Sequence, residues 1–176
     1  HVSIASLGEE IAQNVITITG FSKSYGLAGL RIGLLHTENR KLFSKIYKHS
    51  LHDTTINGAH PLSQIAATTA IMECDYWLEG FKNHLTKMRD LMVSELNSIE
   101  GIYVTAPEGC YVAFANVSGT GMSSEEFCTH ILKNANVAAV PGLPQWFGSA
   151  AEGYVRFTFC TSEELLTEAL RRIKES

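Results

Sequence analysis

Hydrophobic positions change period several times along this chain, and each change marks an element. Asn14 to Phe21, "NVITITGF", alternates and is rich in β-branched residues, which predicts a strand. "LRIGLLHT" (Leu30 to Thr37) predicts a second, leaving Ser22 to Gly29 as an irregular connection with two glycines. Asn39 to Leu51 reads as a helix. "NGAHP" (Asn57 to Pro61) breaks the chain, and Pro61 suits the first position of a helix running to about Cys74, where a missing N–H costs nothing. Leu78, Phe81, Leu85, Met88, Met92, Leu96 and Ile99 then recur at steps of three and four, one continuous helical stripe. At 1.5 Å per residue its 22 positions span roughly 33 Å, enough to bridge two domains.

Beyond Gly101 the pattern shortens. It predicts a strand at Ile102 to Thr105, a turn at Pro107 to Gly109 and a strand at Tyr111 to Val117. A helix follows from Ser123 to Asn134, with Ser123 and Glu126 spaced as a capping box. Strands at Val137 to Val140 and Tyr154 to Cys160 precede a final helix, Ser162 to Lys174, capped by Thr161 or Ser162. The second half therefore reads as a complete small α+β domain. The first half, with two strands, cannot close a sheet of its own. The division is expected inside the long helix, giving residues 1–90 and 91–176, in an α/β chain without internal repeats.

Composition narrows the classes. With 45% hydrophobic and 18% charged residues the chain is ordinary globular material. A net charge of −4 offers no electrostatic footprint for nucleic acid or an anionic membrane. No apolar run approaches the roughly 20 residues of a bilayer span. Cys74, Cys110, Cys128 and Cys160 form no CxxC pair, which points to reduced thiols and a cytoplasmic setting rather than zinc or disulfides. The chain opens on His1 rather than methionine, as expected of a piece numbered from inside a longer protein.

Candidate chemistry concentrates at residues 20–33, "GFSKSYGLAGLRIG", where Lys23 and Arg31 are the only charges in a glycine-rich stretch. Lys23, Gly26, Leu27, Gly29, Arg31, Ile32 and Gly33 together resemble the pyridoxal-phosphate lysine signature of class I/II aminotransferases, which have the aspartate aminotransferase fold (fold type I). The resemblance implies pyridoxal 5'-phosphate as cofactor. Its aldehyde needs a primary amine that loses its proton near neutrality, and lysine shifts readily when buried beside another cation. Its phosphate needs a guanidinium fork, which Arg31 supplies bidentately. Gly26 and Gly29 let the chain fold back so that both heads converge on one small ligand. Many family members place a phosphate-binding serine three residues before the lysine. Here that position is Gly20, and Ser22 reads either as its substitute or as a turn serine bonding its own backbone.

The resemblance continues to the far end. "GYVRFTFCTSEELLTEALRRI" resembles the family's closing strand and helix, where an arginine clamps the substrate carboxylate; by position this is Arg156. Strand alternation sets it opposite to Val155 and Phe157. "APEGCYVAF" (Ala106 to Phe114) resembles a small-domain segment and "VPGLPQWFG" (Val140 to Gly148) the loop before the clamp. Gln145 and Trp146 are placed to border the side-chain pocket, though nothing fixes which amino acid fits. Trp77 and Trp146 otherwise read as core or domain-edge packing. His49, His52 and Asp53 lie close together without a third metal ligand and read as surface residues. "GLAGLRIG" fails the dinucleotide fingerprint.

Related enzymes carry the acid for the cofactor's ring nitrogen upstream of the lysine. Before Lys23 this chain has only Glu9 and Glu10, which read as a solvated helix end. The chain is accordingly identified as the C-terminal part of such an enzyme: the last two strands of the large domain, the bridging helix and the small domain. The resemblance implies amino-group transfer between an amino acid and a 2-oxo acid in a homodimer, with this piece inactive alone. The alternatives are a lyase, synthase or decarboxylase on the same fold, or a non-catalytic C-terminal domain.

Overall fold

Alternation at Thr17 to Gly20 produces the first strand of the computed structural model, which describes residues 2–54 and 58–176. His1 and Asn57, the first residue of the expected break, lie outside the described residues. The chain divides within its longest helix into two units, His1–Glu79 and Gly80–Ser176.

In the first unit a single turn, α1 (Glu9–Ala12), precedes β1 (Thr17–Gly20). Glu9 and Glu10 are exposed, as a solvated helix start requires. β1 pairs antiparallel with β2 (Gly33–His36), Thr17 opposite His36 and Gly20 opposite Gly33. Both strands are shorter than the sequence pattern suggests, because the connection takes residues from each. Phe21–Ser24 form a helical turn, α2, and Ala28–Leu30 a 3₁₀ turn. Helix α3 (Arg40–Ser50) starts where Asn39 Oδ1 accepts from the Lys41 and Leu42 amides, both at 3.0 Å. Helix α4 (Pro61–Glu73) begins on Pro61 as expected, with the Leu62 amide donating to His60 Nδ1 at 3.2 Å. Its buried residues are Ser63, Ala67 and Ala70, a narrow face of small side chains.

Helix α5 (Asp75–Asn97) carries the long stripe, and Met88, Met92 and Leu96 are the part of it that is fully buried. These three enter the core of the second unit. That unit is built on β3 (Val112–Asn116), α6 (Ser124–Asn134), β4 (Val140–Pro141), α7 (Pro144–Phe147), β5 (Tyr154–Thr158) and α8 (Glu163–Glu175). Its three strands form an antiparallel sheet ordered β3-β5-β4. Ala113 faces Phe157 and Ala115 faces Val155 across the ladder, so small residues leave room for large ones on the buried side. Phe127 and Ile131 from α6, with Leu166, Leu170 and Ile173 from α8, complete the core. Each fully buried aliphatic or aromatic side chain contributes about 1.5–3 kcal/mol.

Caps hold as read. Both bonds of the Ser123–Glu126 box are present, and Ser162, not Thr161, caps α8. The hydrogen bonds hold the Glu126 carboxyl below its ordinary range. Two expected strands are nearly absent. At Ile102–Thr105 only Tyr103 pairs, in a lone bridge to Asn116. Asn97 has taken the next residue: its Oδ1 accepts from the Val104 amide at 2.8 Å and its Nδ2 donates to the Val104 carbonyl at 3.0 Å. Of Val137–Val140 only Val140 is strand. The Val137 amide instead returns to the Ile131 carbonyl past Asn136, which is left-handed at φ 57°.

Candidate functional site

The end of β1 delivers Ser22 and Lys23 into α2, a turn too short to show helical periodicity. Phe21 anchors it at 5% exposure, while Ser22 is half-buried and Lys23 exposed. Gly26, at φ 69°, reverses the chain so that the Leu27 amide bonds back to the Phe21 carbonyl at 3.1 Å. This conformation suits glycine and strains other residues. α2 and the following 3₁₀ turn pack on each other. Arg31 closes the second turn, itself left-handed at φ 49°, ψ 45°. Its amide donates to the Ala28 carbonyl at 3.3 Å. Its side chain is exposed, and among the described residues no carboxylate lies within ion-pair distance of it.

Sequence reasoning missed two supports of this turn. Ser63, only 4% exposed, donates from Oγ to the Leu30 carbonyl at 2.8 Å. The available signal was one hydroxyl on the otherwise apolar small face of α4. Tyr25 stacks on Trp77, ring centroids 6.3 Å apart, beside an open groove of about 410 Å³ that also meets Leu27, Ala70 and Tyr76. Trp77 thus packs at the surface rather than in a core, and Trp146 is 61% exposed.

Arg156 lies in the second unit, on the central strand β5, opposite Phe114 of β3 and Val140 of β4. Val155 and Phe157 are buried and Arg156 is exposed, the alternation the strand requires. Around it stands an aromatic set. Phe147 holds its ring 5.8 Å from the guanidinium carbon, Phe114 lies 5.4 Å from Phe147, and Tyr154 stacks on Phe114 at 5.2 Å. A cation above a ring face gains about 0.5–1 kcal/mol at an exposed site, enough to bias its orientation. No described carboxylate pairs with Arg156 either. Elsewhere, His49 Nδ1 bonds the Lys45 carbonyl at 2.9 Å and His52 meets the Tyr47 ring edge. Among the described residues no three His, Cys, Asp or Glu side chains are grouped to hold a metal.

The connection between β1 and β2 thus carries a half-buried hydroxyl, a primary amine and a guanidinium with no described carboxylate beside it, on two turns that pack on each other. An aldehyde calls for the amine and a phosphate for the guanidinium and hydroxyl, so the residue types are compatible with pyridoxal phosphate. Comparison with known proteins agrees with the class. The family model "Aminotransferase class I and II" matches residues 1–173, and the chain belongs to that family. It is similar to the aspartate aminotransferase of Pyrococcus horikoshii, 35% identical over 93% of this chain and 41% of that relative. Among solved structures, the aromatic aminotransferase from Pyrococcus horikoshii OT3 gives a TM-score of 0.84 at 32% identity, over 99% of this chain and 45% of that one. A PLP-bound putative aminotransferase from Clostridium difficile 630 gives 0.86 at 27% identity, over 99% and 44%. The chain thus spans under half the length of the relatives it matches. Among the described residues no helix is long and apolar enough to cross a membrane.

Proposed function

We propose that this chain is the C-terminal portion of a pyridoxal-phosphate aminotransferase that moves an amino group between an amino acid and a 2-oxo acid. The observation that carries the reading is the β1–β2 connection, which sets Lys23 on one turn and Arg31, with no described carboxylate within ion-pair distance, at the end of the turn packed against it. Lys23 would hold the cofactor by its primary amine, which condenses with an aldehyde carbon and releases one water. As a free amine it would take up and return the substrate's α-proton. Arg31 grips the phosphate through paired N–H bonds, and Ser22 adds a hydroxyl donor to the same group. Arg156 holds the substrate carboxylate, so that the α C–H bond is presented in a fixed direction. When bound, the cofactor supplies the electron sink for the pair left by that bond.

Residues 1–90 belong in this reading to the large cofactor domain and 91–176 to the small domain. The chain spans under half the length of the relatives it matches, so in this reading the 176 residues hold only part of the cofactor site and are inactive alone. A homodimer is the assembly we infer, supported by the exposed Leu62, Ile65, Met72 and Tyr76 in the first unit. The four cysteines, all free, support a reducing cytoplasmic compartment.

The test is covalent labelling. Borohydride reduction of the intact protein with pyridoxal phosphate should fix one cofactor on Lys23, located by peptide mass. Lys23→Ala should lose the label and at least about a thousandfold of the rate, on the scale of other covalent catalytic groups. Label on another residue, with activity retained in Lys23→Ala, would sink the assignment.

A further inference from the structure

We infer that Ser63, on α4, is the residue that sets the direction in which the Arg31 side chain leaves the backbone, and so tunes affinity for the cofactor's phosphate specifically; this rests on the proposed reading of Arg31 as the phosphate group's partner. Arg31 is one of four non-glycine residues in the described chain with positive φ. A left-handed residue with a Cβ is strained, and such strain persists only where the surroundings over-determine the backbone. The peptide unit between Leu30 and Arg31 is where this occurs. Its N–H, on Arg31, donates to the Ala28 carbonyl at 3.3 Å. Its C=O, on Leu30, accepts from Ser63 Oγ at 2.8 Å. With both polar ends held, rotation of the peptide plane is restrained, and that plane is one side of the φ rotation of Arg31. The bond on the N–H side is local and long. The bond on the C=O side is short and reaches across 33 residues to a different helix.

Ser63 is suited to this task by its place. It sits at the third position of α4, and at 4% exposure its hydroxyl is shielded from competing water. Ala67 and Ala70 continue the same face with side chains too small to hold the loop away. The alternative for a helical serine is to bond its own helix's carbonyl one turn back. Here the hydroxyl goes to Leu30 instead.

Ser63 touches no part of the cofactor in this account; it is a positioning residue acting through Arg31. The experiment compares dissociation constants for pyridoxal phosphate and for pyridoxal, which lacks the phosphate, in the intact protein. Ser63→Ala should weaken pyridoxal phosphate by about 3- to 10-fold, the range for one lost hydrogen bond, and leave pyridoxal unchanged. Ser63→Cys, near in volume with a weaker donor, should shift the same ratio less, and it serves if the alanine variant does not fold. In an Arg31→Ala background, Ser63→Ala should have no further effect. Equal loss for both ligands, or a Ser63 effect that survives in Arg31→Ala, overturns the inference and makes Ser63 a general support of the fold. If Arg31→Ala itself leaves phosphate discrimination intact, the reading of Arg31 fails first. If Arg31→Ala abolishes discrimination and neither Ser63 variant alters it, the Ser63 inference alone fails.

Discussion

Replacing Arg31 by glycine should make the cofactor-free protein slightly more stable and the cofactor much weaker, two changes that a structural arginine would not show together. Arg31 stands at φ 49°, ψ 45°, where a Cβ costs about 1–2 kcal/mol. Glycine removes that cost but enlarges the unfolded ensemble, returning about 0.4–1 kcal/mol. The exposed side chain forms no ion pair with a described carboxylate, so little packing is lost. The net is a gain of ~0–1.6 kcal/mol, a rise of at most about 3 °C in Tm for a protein more than twice this chain's length. Against this, the variant forfeits a forked, charge-assisted contact. At about 1.5–3 kcal/mol for a single bond to a charged group, a loss of ~2–4 kcal/mol is expected, roughly 30- to 1,000-fold in pyridoxal phosphate affinity. Thermal unfolding of the intact protein without cofactor gives the first quantity, and a spectrophotometric titration gives the second. A cofactor-free variant that melts several degrees lower would refute the argument, because Arg31 would then be contributing to the fold rather than being held under strain for a ligand.

Two further outcomes follow from the second unit. Arg156→Ala should raise KM for amino acids and lower kcat/KM by roughly 100-fold, the scale of one lost charged contact, with pyridoxal phosphate affinity nearly intact; loss of cofactor first, at unchanged KM, would place Arg156 elsewhere. Acid stability should also depend on Glu168, whose carboxyl the Arg171 and then Arg172 hydrogen bonds hold down at about 2 from an ordinary 4.5. A depressed carboxyl stabilises the fold fully above its unfolded value and loses that contribution as pH falls from 4.5 toward 2, so Glu168→Gln should flatten the acid limb of a urea-midpoint profile in that window and a profile matching the parent would exclude the cluster as a contributor.

What could be read in advance had a repeating or positional signature. The α5 stripe, Pro61 at the start of its helix, the Ser123–Glu126 box and the alternation around Arg156 each rest on spacing, and spacing survives folding. What escaped was conformational or long-range. A four-residue turn such as Phe21–Ser24 is shorter than any period that would announce it. Nothing in the word arginine marks residue 31 as left-handed; that conformation shows only in the folded chain, where the residue closes one turn two positions before β2 begins at Gly33. Asn97 turned an expected strand into a loop by supplying through a side chain the pair of bonds that Val104 would have made in a ladder. Ser63 was invisible for a related reason: its partner is a backbone oxygen, which has no residue type.

The antiparallel register of β5 carries a consequence for what substitution at position 156 does. Sliding that strand by one residue would expose Val155 and Phe157 and turn residue 156 inward. Two such side chains at about 1.5–3 kcal/mol apiece set a penalty of roughly 3–6 kcal/mol before the burial of a cation is added. The slipped form is thus rarer than about one molecule in a hundred, and far rarer with the charge included. The orientation of position 156 is therefore decided by its neighbours and is indifferent to what stands there. Glutamine, lysine or leucine at 156 would be handed to the same face, beside the same Phe114 and Phe147 rings. Innovation at this spot is mechanically insulated: the side chain at 156 can be exchanged in a single mutational step while the scaffold that aims it stays as it was.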